Sequence, residues 1–384
     1  MDTGLDLLLQ DELDRLAAIN RRRRLRPVQW RDGGLHDASG RPLIDACSND
    51  YLGLSQHPLV RERAAEWARQ HGAGTPASRL ISGTRDITLA VEEKLAAFKG
   101  CEAALLFNTG FQANATAIPA LAKVGAGRTA IFSDALNHAS IIHGVRMARS
   151  TTHIFRHNDL AHLDELLARH TGRKLIVVES VFSMDGDRAD LPALVQLAEQ
   201  HGAALYVDEA HATGVLGPQG RGLAAECGGI DIVMGTLGKA VGAFGAYIAG
   251  SRALIDYLVN RCTGFIYTTA LPPAVLGAVD AALDLMPEMD DERRRLARNA
   301  QRLREALNAA GLATLESTTQ IVPAIIGSEA DALAAAQKLE DAGILAVAIR
   351  PPTVPEGTSR LRFALSSRLD EEAMTRLLGA VAQL

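Results

Sequence analysis

The sequence predicts an α/β protein: a large domain on a mostly parallel sheet, followed by a smaller C-terminal α+β domain. Two observations predict this. Up to about residue 285, short runs rich in Val, Ile and Ala alternate with helical patterns. Strands that are apolar along their whole length, each followed by a helix, belong to a parallel sheet buried on both faces. After residue 286 the rhythm changes to a long charged helix and then strand-like and helical pieces in quick succession. The expected boundaries are 1–45 for an N-terminal helix and arm, 46–285 for the large domain and 286–384 for the small one.

The elements follow in chain order. Leu5, Leu8, Leu9, Leu13, Leu16 and Ile19 recur at helical spacing and predict an amphipathic helix over 5–24, ending in Arg21-Arg22-Arg23-Arg24. Two short strand-like pieces follow within 34–44. The runs AALLF (103–107), TAIF (129–132), KLIVVES (174–180), ALYVDEA (204–210), DIVMGT (231–236) and GAYIAG (245–250) are the predicted strands of the large sheet. Beyond 286 come the helix DERRRLARNAQRLREALNAAG, strand IVPAIIG, helix ADALAAAQKLEDAG, strands LAVAI and RLRFAL, and a last helix.

Composition narrows the function. The chain has 384 residues, Lys+Arg 40 against Asp+Glu 45, and a net charge of −5. This gives no electrostatic reason to expect nucleic acid or anionic membrane as a partner. No apolar run approaches the ~18 residues of a membrane span. Cys47, Cys101, Cys227 and Cys262 form no C-x-x-C pair and are too few for a disulfide framework. The acid-rich opening MDTGLDLLLQDELDRL resembles neither a signal nor a transit peptide, so a reduced, cytoplasmic setting is expected. The 34 glycines are a mild excess with no cause in composition alone.

Two motif matches mislead. Asp208-Glu209-Ala210-His211 spells a helicase-type acidic box, but Gly238-Lys239 is followed by Ala240 and lies after the box, so no phosphate loop accompanies it. Gly72–Ala77 fits G-x-G-x-x-A, but it follows the helical RERAAEWARQH rather than a strand. Neither H-E-x-x-H, paired Cys/His spacing nor G-x-S-x-G occurs, so metal and serine-hydrolase chemistry are not expected.

One constellation survives. Asp208 ends an apolar strand, His211 follows three residues later, and Lys239 follows another strand in a Gly-rich loop. A lysine that condenses with an aldehyde, and a carboxylate that keeps a pyridine nitrogen protonated, are what pyridoxal phosphate requires. Its phosphate needs backbone N–H groups at a helix start, which Asn108-Thr109-Gly110-Phe111 supplies, with Thr236 near enough in sequence to Lys239 to add a hydroxyl. His138, after TAIF, is the candidate aromatic lid, and Ser183 the candidate contact for the ring's oxygen side.

The ordered set NDYLGL (49–54), NTGFQAN (108–114), NHASIIHG (137–144), ESVFSMDGD (179–187), VDEAHATGVLGPQGRG (207–222) and GTLGKAVGAFGAY (235–247) resembles the α-oxoamine synthases nearly end to end. The resemblance implies a fold-type-I pyridoxal phosphate-dependent transferase with a sheet of the seven-stranded type. It further implies a homodimeric acyltransferase that joins an amino acid to an acyl thioester with loss of CO₂. The segment Ile349-Arg350-Pro351-Pro352-Thr353-Val354-Pro355 looks most like the branch that condenses L-alanine with a pimeloyl thioester in biotin biosynthesis, the carrier being acyl carrier protein or coenzyme A. The alternative within the family is glycine C-acyltransfer of the 2-amino-3-oxobutyrate or 5-aminolevulinate type; outside it, a non-catalytic scaffold that kept the fold.

Carried over by resemblance, Lys239 binds the cofactor and moves a proton, Asp208 pairs with the pyridinium, His138 stacks on the ring, and Ser183 and His211 contact its oxygen side. Gly110, Phe111 and Thr236 hold phosphate, with Thr268 and Thr269 from a second subunit. Arg362 takes the amino-acid carboxylate. Arg23, Asn49, Ser78, Arg350 and Thr353, together with His138, line the substrate side. Gly74–Arg79 departs from a more glycine-rich family form of that loop.

Overall fold

The computed structural model describes residues 4–31, 33–125 and 128–384. Two compact units are present. One comprises Met1–Ser48, Met184–Gly186 and Arg295–Leu384; the other comprises Asn49–Ser183 and Asp187–Arg294.

Strands are numbered in chain order. The first unit contains β1 (Gln29–Arg31), β2 (Gly34–His36) and β3 (Pro42–Asp45). The second contains β4 (Ala103–Phe107), β5 (Ala130–Asp134), β6 (Thr152–Phe155), β7 (Lys174–Glu179), β8 (Ala203–Asp208), β9 (Ile232–Thr236) and β10 (Ala246–Gly250). The first unit resumes with β11 (Ile321–Gly327), β12 (Ile344–Leu345), β13 (Val347–Ile349) and β14 (Ser359–Ala364).

The second unit is built on a seven-stranded sheet of order β4-β10-β9-β8-β7-β5-β6. Neighbours from β6 to β9 pair in parallel, while β10 runs antiparallel to both β9 and β4. This is the mixed, mostly parallel seven-stranded sheet that the sequence led us to expect. Period-two alternation divides its strands between two cores. Leu175, Val177 and Tyr206 pack on one face with Ala113, Ala117 and Ile141; Ile176, Val178, Leu205 and Val207 pack on the other with Leu163, Leu167 and Leu194. All six predicted strands are present. The edge strand β6, Thr152-His153-Ile154-Phe155, was not anticipated: only Phe155 is fully buried, so it lacks the continuous apolar run that marks its neighbours.

In the first unit, β1-β2-β3-β12 form one sheet and β11-β14-β13 another. The run LAVAI is therefore not one strand but two short ones serving different sheets, β12 beside β3 and β13 beside β14. Helix Glu329–Asp341 packs on both. The turn Met184–Gly186 belongs to this unit: the Gly186 carbonyl accepts the Thr318 N–H at 3.1 Å and the Thr319 hydroxyl at 2.9 Å.

The N-terminal helix departs from expectation. It spans Gly4–Ala18 rather than 5–24, and the chain turns through Asn20 at φ 57. The basic run consequently lies beyond the helix. Arg21 pairs with Glu329 at 2.7 Å and Glu356 at 3.0 Å, Arg22 lies 3.7 Å from Asp14, and Arg26 pairs with Glu340. Among the described residues no helix is long and apolar enough to cross a membrane.

Candidate active site

Asp208, at the carboxyl end of β8, is 4% exposed. Its Oδ2 accepts the Asn114 amide at 2.8 Å and its Oδ1 the Ala210 N–H at 2.8 Å. Asn114 also donates to Ser140 Oγ at 2.9 Å and accepts the Tyr206 hydroxyl at 2.7 Å. Ser140 in turn lies 2.7 Å from His138 Nδ1, which also accepts the Ser140 N–H at 3.2 Å. A single hydrogen-bonded network thus orients both the buried acid and His138. Because Nδ1 accepts an N–H, the His138 ring is neutral with its proton on Nε2. Burial and the charge of Lys239, opposed by Asp208, hold its pKa below the ordinary histidine value.

A second network ends at Lys239, in the turn after β9. Lys239 Nζ lies 2.8 Å from His211 Nε2, His211 Nδ1 lies 2.6 Å from the Tyr51 hydroxyl, and Tyr51 donates to Asn49 Oδ1 at 3.0 Å. The protons can be assigned. Tyr51 has one hydrogen and gives it to Asn49, so His211 Nδ1 must donate to Tyr51, leaving Nε2 as an acceptor for the Lys239 amine.

Glu179, at the end of β7, joins His138 to Ser183. Its carboxyl accepts the His138 N–H at 2.5 Å and the Ser183 N–H. Burial, and then the negative charge of Asp208, raise its pKa well above the usual carboxylate range despite the opposing charge of Lys239.

Gly110 starts the helix Gly110–Leu121, capped by Thr109, whose side chain accepts the Gln112 N–H. A Cβ on Gly110 would come within 2.6 Å of Thr236 Cγ2 and 3.0 Å of Met234 Cε, so this helix start and the end of β9 are as close as glycine permits. Phe111 is exposed, with its ring centroid 5.3 Å from that of His143. Asn108, just before this turn, donates to Thr268 Oγ1 at 3.3 Å and to the Thr269 carbonyl at 2.9 Å. Thr268 and Thr269 therefore lie beside the same chain's Gly110 turn, and Ser78 forms an isolated bridge with Thr269.

The remaining expected residues lie in the other unit. Arg23 reaches Thr353 Oγ1 at 3.5 Å, and Arg350 donates to the Asn20 carbonyl. Burial and the neighbouring Arg23 lower the Arg350 pKa. Arg362, on β14 opposite Pro323 and Val347, is buried.

The sequence reading missed Asn114, Ser140, Tyr206 and the acid Glu179 as site residues, and Tyr51 as a partner of His211. Asn114 alone had a local signal, since it lies one helical turn beyond Gly110 and shares its face.

Comparison with known proteins supplies the family. The aminotransferase class I and II family matches residues 41–381. The 8-amino-7-oxononanoate synthase of Gluconacetobacter diazotrophicus is 54% identical, over 99% of this chain and 97% of that protein. Among solved structures, a serine palmitoyltransferase from S. paucimobilis, with a bound PLP–myriocin aldimine, superposes with a TM-score of 0.90 at 30% identity, covering 100% of this chain and 98% of that one. An 8-amino-7-oxononanoate synthase from Francisella tularensis gives 0.76 at 29% identity, over 89% and 97% respectively. Likeness of fold spans both activities, whereas identity above half over the full chain selects one. The chain belongs to the 8-amino-7-oxononanoate synthases, pyridoxal phosphate-dependent acyltransferases of biotin biosynthesis.

Proposed function

We propose that this chain condenses L-alanine with a pimeloyl thioester, releasing CO₂ and the free carrier thiol and giving 8-amino-7-oxononanoate. The observation that carries the reading is that two separately anchored hydrogen-bond networks end at the Lys239 amine and at the Asp208 carboxylate and His138 ring. The residues present fit pyridoxal phosphate: a buried acid, an amine held by a neutral imidazole, and a glycine helix start that admits no side chain. When bound, the cofactor supplies an aldehyde for attachment to an amine and an electron sink for charge at the amino-acid Cα.

In this reading Lys239 holds the cofactor covalently and, once displaced, moves the proton at the substrate Cα. Asp208 keeps the pyridine nitrogen protonated, and Asn114 fixes the carboxylate's direction. His138, neutral, stacks on the ring and offers Nε2–H to the thioester carbonyl as it gains negative charge. Ser183 and His211 address the ring's oxygen, while the Gly110 and Phe111 N–H groups and the Thr236 hydroxyl take phosphate. Arg362 binds the alanine carboxylate by a bidentate pair. Asn49, Ser78, Arg23, Arg350 and Thr353 line the acyl side. A homodimer is part of the proposal, and Thr268 and Thr269, which lie beside the Gly110 turn, are assigned to phosphate. Exposed Leu80, Ile81, Phe111, Phe244 and Tyr267 support such an interface. The setting proposed is the cytoplasm.

The test is a matrix of amino acids and thioesters with the cofactor-loaded protein, read by mass spectrometry. Product from alanine with pimeloyl-coenzyme A or pimeloyl-acyl carrier protein is expected. Product only from glycine with acetyl- or succinyl-coenzyme A would overturn the assignment.

A further inference from the structure

His157 lies just past the edge strand β6 and touches the roots of two loops. Its Nδ1 is 2.9 Å from Asp134 Oδ1, and its Nε2 is 2.8 Å from Asp187 Oδ2. Carboxylates only accept, so both ring nitrogens donate and the ring is an imidazolium. Burial works against this charge, but hydrogen bonds to Asp134 and Asp187 outweigh it and raise the pKa to about 10.

Each carboxylate organises a loop that carries a site residue. Asp134 ends β5 and also accepts the Leu136 N–H at 2.8 Å and the Asn158 N–H at 2.9 Å, just ahead of His138. Asp187 closes the turn that begins at Ser183. Its carbonyl accepts the Phe182 N–H at 3.1 Å, and its Oδ2 also accepts the Asn158 amide at 2.8 Å. Phe182, next to Ser183, sets its ring edge-on to His157 with centroids 4.4 Å apart at 89°. The same two loops are tied a second time, at His138 and Ser183 themselves, by the Glu179 carboxyl. The loops are therefore joined by two rungs, an acid at the tips and a cation at the roots.

We propose that His157 is a positioning residue for the reaction: by bridging Asp134 and Asp187 it fixes the spacing across which His138 and Ser183 address the cofactor ring. This rests on the reading of His138 and Ser183 as cofactor contacts. A neutral side chain at 157 lets the roots part, and small misplacements at a reacting centre carry large rate penalties.

The experiment uses the full chain with His157→Gln. Pyridoxal phosphate affinity is measured by titration of the apoprotein, the visible band of the lysine-bound cofactor by absorbance, and kcat and KM per bound cofactor by steady-state kinetics. Affinity and kcat each fall about tenfold or more, the visible band shifts, and KM for the thioester changes little. If the variant merely melts earlier while each loaded molecule keeps the wild-type band and kcat, the inference is overturned. Asp187→Asn, which keeps the acceptor and removes the charge, is read the same way if His157→Gln does not fold. Wild-type protein that binds no cofactor, and is not trapped at Lys239 by borohydride, would sink the functional reading and this inference with it. Wild type that binds, with both variants matching it, sinks this inference alone.

Discussion

Tyr51 owes its place to one proton. It gives its only hydrogen to Asn49, which compels His211 to present a bare Nε2 to Lys239. Tyr51→Phe leaves the His211 Nδ1–H without that partner, a loss of about 1–3 kcal/mol for a buried donor. Because the ring can then re-tautomerise, kcat is expected to fall about tenfold, each 1.4 kcal/mol or so being one decade. Steady-state kinetics with unchanged folding by circular dichroism would check it. His157 makes a different prediction. Its folded pKa is raised from 6.5 to about 10, so its contribution to stability is full below pH 6.5 and is lost as pH rises through 10. The stability gap between wild type and His157→Gln in urea unfolding should therefore shrink steadily across that interval, and a gap that widened would refute it. Lys239, Asp208 and His138 stood out in the sequence as candidates because each is a reactive residue type at or just past the end of an apolar strand. Their partners were not, because nothing local marks them: Asn114 meets Asp208 across 94 residues and Tyr51 meets His211 across 160.

The helix Gly110–Leu121 shows how much an element's end can carry. Its N-terminus offers N–H groups ahead of the first intrahelical bond, from Ala113 to the Thr109 carbonyl, and its dipole favours an anion there. Gly110→Ala inserts a methyl 2.6 Å from Thr236 Cγ2, which must push this turn away from β9. A stability loss of about 1–3 kcal/mol is expected from overpacking, with cofactor affinity reduced about tenfold. Calorimetry and cofactor titration read the two effects separately. At this scale the sequence was legible wherever a strand is buried on both faces, as β7 and β8 are. It failed where an element is exposed or short: β6 at the sheet edge, and the run 344–349 split between two sheets. The first helix was drawn too long because leucine spacing continues to Ile19, whereas the chain leaves helical geometry at Asn20.

At the scale of the molecule, a fully buried ion pair holds distant segments of the larger unit together. Lys99, at the end of its helix, pairs with Glu209 at 2.7 Å, with side-chain exposures of 1% and 0%. Glu209 also accepts the Ala224 N–H at 2.8 Å, and Lys99 donates to the Arg221 carbonyl, so the pair pins the Gly-rich loop that follows His211. Removing one partner strands a buried charge, and Lys99→Met should destabilise the protein by about 3–5 kcal/mol. Adding Glu209→Gln to Lys99→Met should recover part of that loss, a coupling that a double-mutant cycle in denaturant would measure. Many of the surplus glycines belong to such crowded loops, Gly222 facing the Glu209 carboxylate among them. The turn Met184–Gly186 has a consequence for recombination between relatives. Its Gly186 leaves no room for a Cβ against the Ile321 carbonyl, and its Asp185 pairs with Arg360. The smaller unit is thus not a contiguous cassette. A chimaera that exchanges residues 295–384 alone would inherit a foreign plug for its own socket, and the tripeptide must travel with the segment it completes.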